Sequence, residues 1–550
     1  MTRRVPGRVA AMLHRLRLSI SRPHARTATG TARHSRDPIS ELVRLTEQRR
    51  YDEAVVLAER LLPDHSDDLR FLKQARRTFT KAGALTLHLR ATQAQRLLDI
   101  SPQLAAQEAK ALGRWRETAP DWRPEVGGPA EPLSASKPER VLHLLKVSVP
   151  YRQSGYTMRG QYTLEGQRAA GLDPVALTAL GFPRSVGVPD APPFVDVNGI
   201  TYIQLDPGPD YALDGPYDRY LQDYVTAAAT HVRRQAPAVI HVHSGARGYD
   251  AALVGLALGR HFEIPVIYEV RGFFESLWTS DADWSERSEA YRRRLATEHR
   301  CMTEAAAVVT LSETMRAEIV ARGIPADKVT VVPNGVDVER FYPRQRSPAL
   351  VERYSLGESF VFGYVSNLDH YREGHETLIE AAVRLRAEGI RAVALIVGDG
   401  IRRSDLERFA RQRGAGNAVL FVGRVPHGEV LDYYALLDVF VVPRVPERAA
   451  RLVTPLKPFE AMAAGIPVVT SDLGALQEII GDGQRGRSFP AADSASLAAV
   501  LAELSENAAG RAQLAARARA WVVAERQWSA NGKRYADLYS RVNAGNLTAG

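Results

Sequence analysis

The sequence predicts an α/β protein, two doubly wound domains in tandem behind a small all-α N-terminal region. Three observations predict it. Short apolar, β-branched runs alternate with stretches of helical periodicity from residue 139 onward. Those runs are almost continuously apolar, as strands buried on both faces are. Residues 37–118, by contrast, carry helical periodicity alone.

Taken in order, the chain opens on a basic arm, residues 1–36. Val5, Val9, Met12, Leu13, Leu16 and Ile20 fall on one helical face and Arg4, Arg8 and Arg15 opposite, with Leu18 off the pattern. That suits either a helix lying on an anionic membrane surface through residues 1–20 or a disordered tail. In residues 37–118, Tyr51–Leu62 and Ala84–Leu98 read as helices. The first resembles half of a tetratricopeptide repeat, without a second copy at the expected period. A helical bundle and a protein-partner module are both open readings. Residues 119–138, rich in Pro, Gly and Ala, read as a linker.

Seven strands are expected in a domain over 139–335: Leu142–Val149, Val175–Leu180, Ile200–Leu205, Ala238–Val242, Pro265–Val270, Ala306–Leu311 and Val329–Val332. Five more are expected over 345–524: Phe360–Val365, Ala392–Val397, Val419–Val422, Val439–Val442 and Val468–Thr470. The loop Pro333–Pro343 joins the domains, and a helix over 525–545 is expected to cross back to the first. Ligand belongs in the crevice facing the carboxyl ends of both strand sets.

Composition narrows the function classes. A single cysteine, Cys301, excludes an intrachain disulfide and a Cys-based zinc cluster. No stretch approaches the roughly 20 apolar residues that span a bilayer, so a cytoplasmic protein, at most peripheral at the inner face of the membrane, is expected. Removing the nine arginines of residues 1–36 from the 72 basic residues leaves 63, equal to the 63 acidic ones. The basic excess therefore sits in one arm, and nucleic acid is not an expected partner. No G-x-G-x-x-G follows an expected strand and no P-loop is present.

The chemistry concentrates in Asp438–Asp472. A helix opening at Thr454-Pro455, with Thr454 as cap, and closing at Gly465 would aim its amino end at the crevice. Lys457 lies in its first turn and Glu460 one turn on, a phosphate seat beside a carboxylate that can hold sugar hydroxyls. Asp281 and Asp283 form a D-x-D in a polar loop and are read as incidental. His241 and His243 share a face only if their strand runs through Val242; the spacing also suits a metal, but no third ligand is evident in the sequence.

Residues 140–545 resemble family 4 glycosyltransferases of the GT-B fold, in which both domains are Rossmann-like. Five segments carry the resemblance in order: Pro150–Thr178, Val331–Pro343, Gly363–Leu385, Leu395–Arg444 and the helix with TPLKPFEAMAAG. The last looks most like the branch that builds bacterial exopolysaccharides and cell-surface polymers. The resemblance implies retaining transfer of a sugar from a nucleotide diphosphate donor to a glycan or lipid-linked acceptor, with no metal and no cofactor. It implies catalytic roles for Lys457, Arg372 and His243, and donor contacts from Gly155, Arg424, Leu456, Lys457 and Glu460. Glu269 and Arg271, ending the run PVIYEV, are expected at the acceptor site. Two departures stand out. The family's first motif glutamate falls on Leu452, and the lysine usual before a glycine falls on Glu373, leaving Arg372 to serve. A nucleotide-sugar epimerase and a catalytically silent, nucleotide-sugar-binding regulator are the alternatives.

Overall fold

The computed structural model describes residues 37–545 other than Ser280 and His427, so the arm of residues 1–36 lies outside the described residues. Five helices, Pro38–Glu47, Tyr51–Leu61, Leu69–Ala82, Leu85–Leu98 and Pro102–Arg116, form the N-terminal region. Asp37, Asp68 and Ser101 cap three of them through side-chain oxygens. Their apolar faces meet in a core of Leu42, Leu45, Phe71, Leu72 and Phe79. Residues 276–293 belong to this unit although they arise within the first sheet's stretch of chain. There Asp281 caps a short helix by accepting from the Trp284 N–H at 3.3 Å. The Trp284 indole donates to Ala82 O at 2.9 Å.

The remainder holds two sheets. The first comprises β1 (Arg140–Leu145), β2 (Asp173–Thr178), β3 (Phe194–Val197), β4 (Ile200–Ile203), β5 (Val239–His243), β6 (Val266–Val270), β7 (Ala307–Thr310) and β8 (Val329–Val331). Their order is β3-β4-β2-β1-β5-β6-β7-β8, parallel except for the β3–β4 hairpin. The second comprises β9 (Phe360–Val365), β10 (Ala392–Val397), β11 (Val419–Gly423), β12 (Val439–Val442), β13 (Val468–Ser471) and β14 (Gly486–Phe489), ordered β11-β10-β9-β12-β13-β14 and wholly parallel. Helices cover both sheets, as parallel strands require.

Two strands escape the periodicity reading, β3 and β14. Both are four-residue edge strands. In β14 the residues are Gly-Arg-Ser-Phe, two of them exposed, so no apolar run marks it.

The last helix, Trp528–Asn543, returns to the first sheet and packs on the helix Gly155–Ala169. Glycine makes that approach feasible. A Cβ on Gly532 would lie 1.9 Å from Gly166 O, and one on Gly166 would lie 2.6 Å from Trp528 O. No side chain fits between these backbones. Tyr535, Leu538, Tyr539 and Val542 complete a core with Val141, Val239, Ile267, Ala307 and Val309.

Candidate active site

The helix that carries Lys457 runs from Lys457 to Ala463, with Leu456 at its amino cap and Pro458 in its first turn. The expected cap at Thr454 is corrected. Thr454 is 5 % exposed and its oxygens face Asn334, whose amide donates to Thr454 O at 2.9 Å and lies 3.3 Å from Oγ1. That engagement across the Pro333–Pro343 join delays the helix by two residues, from Pro455 to Lys457. The expected stop holds. Gly465 adopts φ +74°, and its N–H donates to Met462 O while Ile466 N–H donates to Ala461 O.

Lys457 Nζ lies 3.1 Å from Glu460 Oε2, and the Tyr434 hydroxyl donates to the same oxygen at 2.8 Å. Lys457 keeps a third of its side chain exposed, so its ammonium can reach the crevice. Opposite stands the start of the helix Gly155–Ala169, closed by a capping box between Ser154 and Thr157. A Cβ on Gly155 would meet Leu456 Cδ1 at 3.7 Å, an ordinary contact. The first turns of the two helices thus face each other across the lobes.

Arg372 sits in the short turn Tyr371–Glu373 beyond the carboxyl end of β9, its Nε 3.5 Å from Glu373 Oε1. The carboxylate at Glu373, where a lysine is usual, is neutralised by a residue the sequence did not flag. Arg444 donates to it through Nε and Nη2, each at 3.1 Å, and through Nη1 to Val453 O at 3.0 Å. Burial raises Glu373, but Arg444 and the Tyr364 hydroxyl outweigh it and hold the carboxyl at about 2. The pair ties the turn after β9 to the segment leading into Lys457. Arg424 is exposed just past β11, three strand spacings from β12, or about 14 Å along the sheet edge. It is therefore apart from Lys457, at the far end of the carboxyl edge.

The lobes touch through charged groups near Leu452. Arg448 Nη2 lies 2.5 Å from Glu318 Oε1 and 3.6 Å from Glu275 Oε1. Glu478 accepts from the N–H groups of Glu313 and Thr314, both at 3.1 Å. Leu452 itself ends the helix Arg448–Leu452 and its carbonyl faces Ser312 Oγ at 3.5 Å.

The remaining expected residues lie inside the first lobe. β5 does run through Val242, so His241 and His243 share a face, and His143 from β1 stacks with both. All three are fully buried, as is Glu269. His243 is thus placed in the interior, not at the crevice. Glu269 Oε1 accepts from Arg159 Nε at 3.0 Å and Arg271 Nε at 2.7 Å, and Oε2 accepts from the Tyr535 hydroxyl at 2.5 Å. Burial alone would raise Glu269; the two guanidiniums hold it well below the usual carboxylate range. The Glu269–Arg271 pair expected at the acceptor site is a buried ion pair, with Arg271 also reaching Tyr156 O at 3.0 Å. Arg159, which sequence reasoning passed over, is its second guanidinium. Only a charge in the middle of a helix buried nearly all round could have signalled it.

The absent third metal ligand is also corrected. His241, His243 and Glu269 place ligand atoms within 4.8 Å of one another. Two guanidiniums already share that carboxylate, so the spot is cationic and opposes a divalent ion.

Neutral rings suit the histidine contacts, although His241 Nε2 and His243 Nδ1 lie 3.3 and 3.5 Å from Glu269 without a hydrogen bond. His143 Nε2 meets Gln167 Oε1 at 2.8 Å, His143 Nδ1 meets His243 Nε2 at 2.9 Å, and His241 Nδ1 meets the Tyr539 hydroxyl at 2.7 Å. Burial pushes all three down from the ordinary imidazole value. The unfolded chain therefore takes up protons below about pH 6.5 that the native fold refuses, and stability present above that value is lost as pH falls. Each histidine should cost up to about 1.4 kcal/mol per pH unit. Urea midpoints at pH 7 and 5.5 check this; an unchanged midpoint would show that the rings titrate in the fold.

Comparison with known proteins agrees with the two-lobed fold. A model described as "Glycosyl transferase 4-like domain" matches residues 154–335, and one described as "Glycosyl transferases group 1" matches residues 352–521. A GDP-mannose-dependent alpha-(1-6)-phosphatidylinositol monomannoside mannosyltransferase of Mycolicibacterium smegmatis is 30% identical over 240 residues, 43% of this chain and 63% of that protein, so less than two thirds of that relative is spanned. A glycogen synthase of Mycobacterium tuberculosis is 28% identical over 317 residues, 57% of this chain and 71% of that protein. The solved sucrose-phosphate synthase of Thermosynechococcus elongatus superposes with a TM-score of 0.61 at 23% identity, covering 74% of this chain and all of that one, a likeness of fold. One model spans seven of the eight strands of the first sheet and the other all six of the second, each on a doubly wound lobe, and the chain belongs to the family 4 glycosyltransferases of GT-B fold.

Proposed function

We propose that this chain moves a sugar from a nucleotide diphosphate donor to a hydroxyl of a glycan or lipid-linked acceptor, with retention at the anomeric carbon, in assembly of a surface polysaccharide. The observation that carries the reading is the approach of Leu456, at the cap of the helix that bears Lys457 and Glu460 on the second sheet's carboxyl edge, to the exposed helix start at Gly155 on the first. In this reading Lys457 and Arg372 take the charge of the departing diphosphate, and Glu460, held by Tyr434, binds donor hydroxyls. Leu456 and Gly155 shape the walls, and Arg424 meets the base. Arg444 positions the turn that carries Arg372, His243 and Glu269 position the acceptor lobe from within, and Arg271 belongs to its acceptor site. At the carboxyl end of β9 Ser366 Oγ lies 2.7 Å from His375 Nε2, a pair to which this reading gives no covalent role. Transfer then rests on charge stabilisation and orientation, with a donor phosphate oxygen taking the acceptor proton.

Incubation with UDP-, GDP- and ADP-sugars tests it, with and without chelator. One donor class should slowly release its nucleoside diphosphate, chelator should not alter the rate, and NMR of a transferred product should show the donor's anomeric configuration. Interconversion of donor sugars would establish an epimerase, and binding without turnover a silent regulator. Inverted product would overturn the retaining mechanism.

A further inference from the structure

Lys146 has a position that transfer chemistry alone does not explain. It follows β1 directly and is mostly buried. Its ammonium donates to Gly245 O at 3.2 Å and otherwise lies against aromatic faces, 4.5 Å from the Tyr156 ring centroid and 4.7 Å from that of Phe274. Among the described residues no carboxylate pairs with it. Asp250, whose charge acts on it, accepts from the N–H groups of Ala246 and Arg247 at 3.0 and 3.1 Å. An ammonium carries three donors and is strongly hydrated in water, so holding one here without a counter-ion is costly.

The neighbours compound the excess. Arg271 stacks on the same Tyr156 ring, its Cζ 4.7 Å from the centroid. Its side chain is 3 % exposed, and its Nη2 has no hydrogen-bond partner. Its one carboxylate, Glu269, is shared with Arg159. Arg159 and Arg271 thus share one carboxylate, two positive charges on one negative, with the Lys146 ammonium close enough to feel Arg271. Tyr156 is the second residue of the helix Gly155–Ala169, whose first N–H groups have no intrahelical acceptor and whose dipole adds to the same potential. Gly155 and the loop residue Ala246 are exposed, so this edge opens to solvent beside the crevice.

We propose that Lys146 and Arg271 form an anion subsite that binds a phosphate group carried by the acceptor, at the start of the helix Gly155–Ala169. This rests on reading the first lobe as the acceptor half of the transferase. Burial pushes the Lys146 ammonium down to about 8, with Arg271 adding to that push and Asp250 opposing it. A phosphate would supply the missing counter-charge, with charge-assisted hydrogen bonds from Lys146 Nζ and Arg271 Nη2. The aromatic faces of Tyr156 and Phe274 would hold the lysine in place. A sugar phosphate and a phospholipid headgroup offer the same chemistry, so the subsite selects the anion and the probe must distinguish the source.

Titration calorimetry on the full chain tests this, both alone and saturated with the nucleoside diphosphate that stabilises it most. Glucose 6-phosphate is the soluble probe and glucose its neutral control. Phosphatidylcholine vesicles containing phosphatidylinositol are the lipid probe, with pure phosphatidylcholine vesicles as control. At least one phosphate probe should bind with its neutral control silent, Lys146→Met should weaken it about tenfold, and Lys146→Arg should restore it to within about threefold. Binding of glucose 6-phosphate points to a free sugar phosphate, and binding of the vesicles alone to a lipid-linked acceptor. Phosphate probes no better than their controls, or K146M binding as well as wild type, would overturn the proposal. Should K146M not fold, the wild-type comparison of phosphate with neutral probe decides alone. Failure of every nucleotide to bind, by contrast, would count against the transferase reading and leave the phosphate arms to be read in the nucleotide-free chain.

Discussion

Lys457→Ala is expected to lower sugar transfer at saturating donor by about a hundredfold to a thousandfold, the loss typical when one preorganised charge or donor is removed from a developing anion. The size follows from position. Lys457 is a partly exposed ammonium at the crevice, next to Glu460 in an ion pair of 3.1 Å. In the ground state that pair gains little, because a third of the lysine is in water. On the proposed mechanism the departing diphosphate is a far better partner in the transition state, so the stabilisation would be differential. A lysine serving only as a surface pair would give a rate within about threefold of wild type, and that result would remove it from the mechanism. Glu460→Gln separates the two partners. It should weaken donor binding, seen as a raised KM and a smaller thermal shift with nucleotide-sugar, while Lys457→Ala acts chiefly on kcat. Initial rates across donor concentration give both numbers in one experiment.

The sequence disclosed most of the frame and part of the site, and the boundary between the two is physical. Strands β9, β10 and β12 match their expected ranges because a central parallel strand is apolar on both faces and leaves a run of Val, Ile, Phe and Leu. β3 and β14 lack that signature because edge strands are short and half solvated. Lys457 was legible from helix punctuation and the motif around it. The start of its helix was not, because Thr454 is claimed by Asn334, 120 residues earlier in the chain. Arg444 and Arg159 were invisible for the same reason. Each is defined by a carboxylate, Glu373 or Glu269, that is remote in sequence and adjacent in space. Local pattern cannot report a pairing between elements that meet only in the fold. The reading of Glu269 and Arg271 as crevice residues shows the converse limit. Polar residues at the end of an apolar strand are compatible with exposure and with a buried ion pair, and only packing of the C-terminal helix selects the second.

That packing leads to the second large effect. Glu269→Gln should destabilise the fold by about 3–5 kcal/mol, the range for breaking a buried ion pair by removing one partner. The side chain stays nearly isosteric, so the loss is electrostatic and leaves no cavity. The glutamate now balances Arg159 and Arg271, whose side chains are each 3 % exposed, while its other oxygen holds Tyr535 of the C-terminal helix. Without its charge two guanidiniums remain in the interior with no carboxylate between them. An exposed pair provides the contrast. Arg408 and Asp405 lie 2.8 Å apart with side chains 58% and 61% exposed, and Asp405→Asn should cost under about 1 kcal/mol. Distance is alike in the two pairs, so the difference between them measures burial. Denaturant midpoints at pH 7 with unchanged slope give both values. The sign with pH is also fixed. The Glu269 carboxyl is held below its unfolded value, so its stabilisation is present above about pH 4.5 and is lost only as pH falls through the depressed native value. The difference between wild type and Glu269→Gln should then stay constant from pH 7 to 5, while the histidines lower both proteins together. Because Tyr535 anchors to Glu269, hydrogen exchange in Trp528–Asn543 should rise in the variant before exchange in the second sheet does. A loss below about 1 kcal/mol, or exchange rising uniformly over the chain, would mean that water or another anion already shares the charge of these arginines.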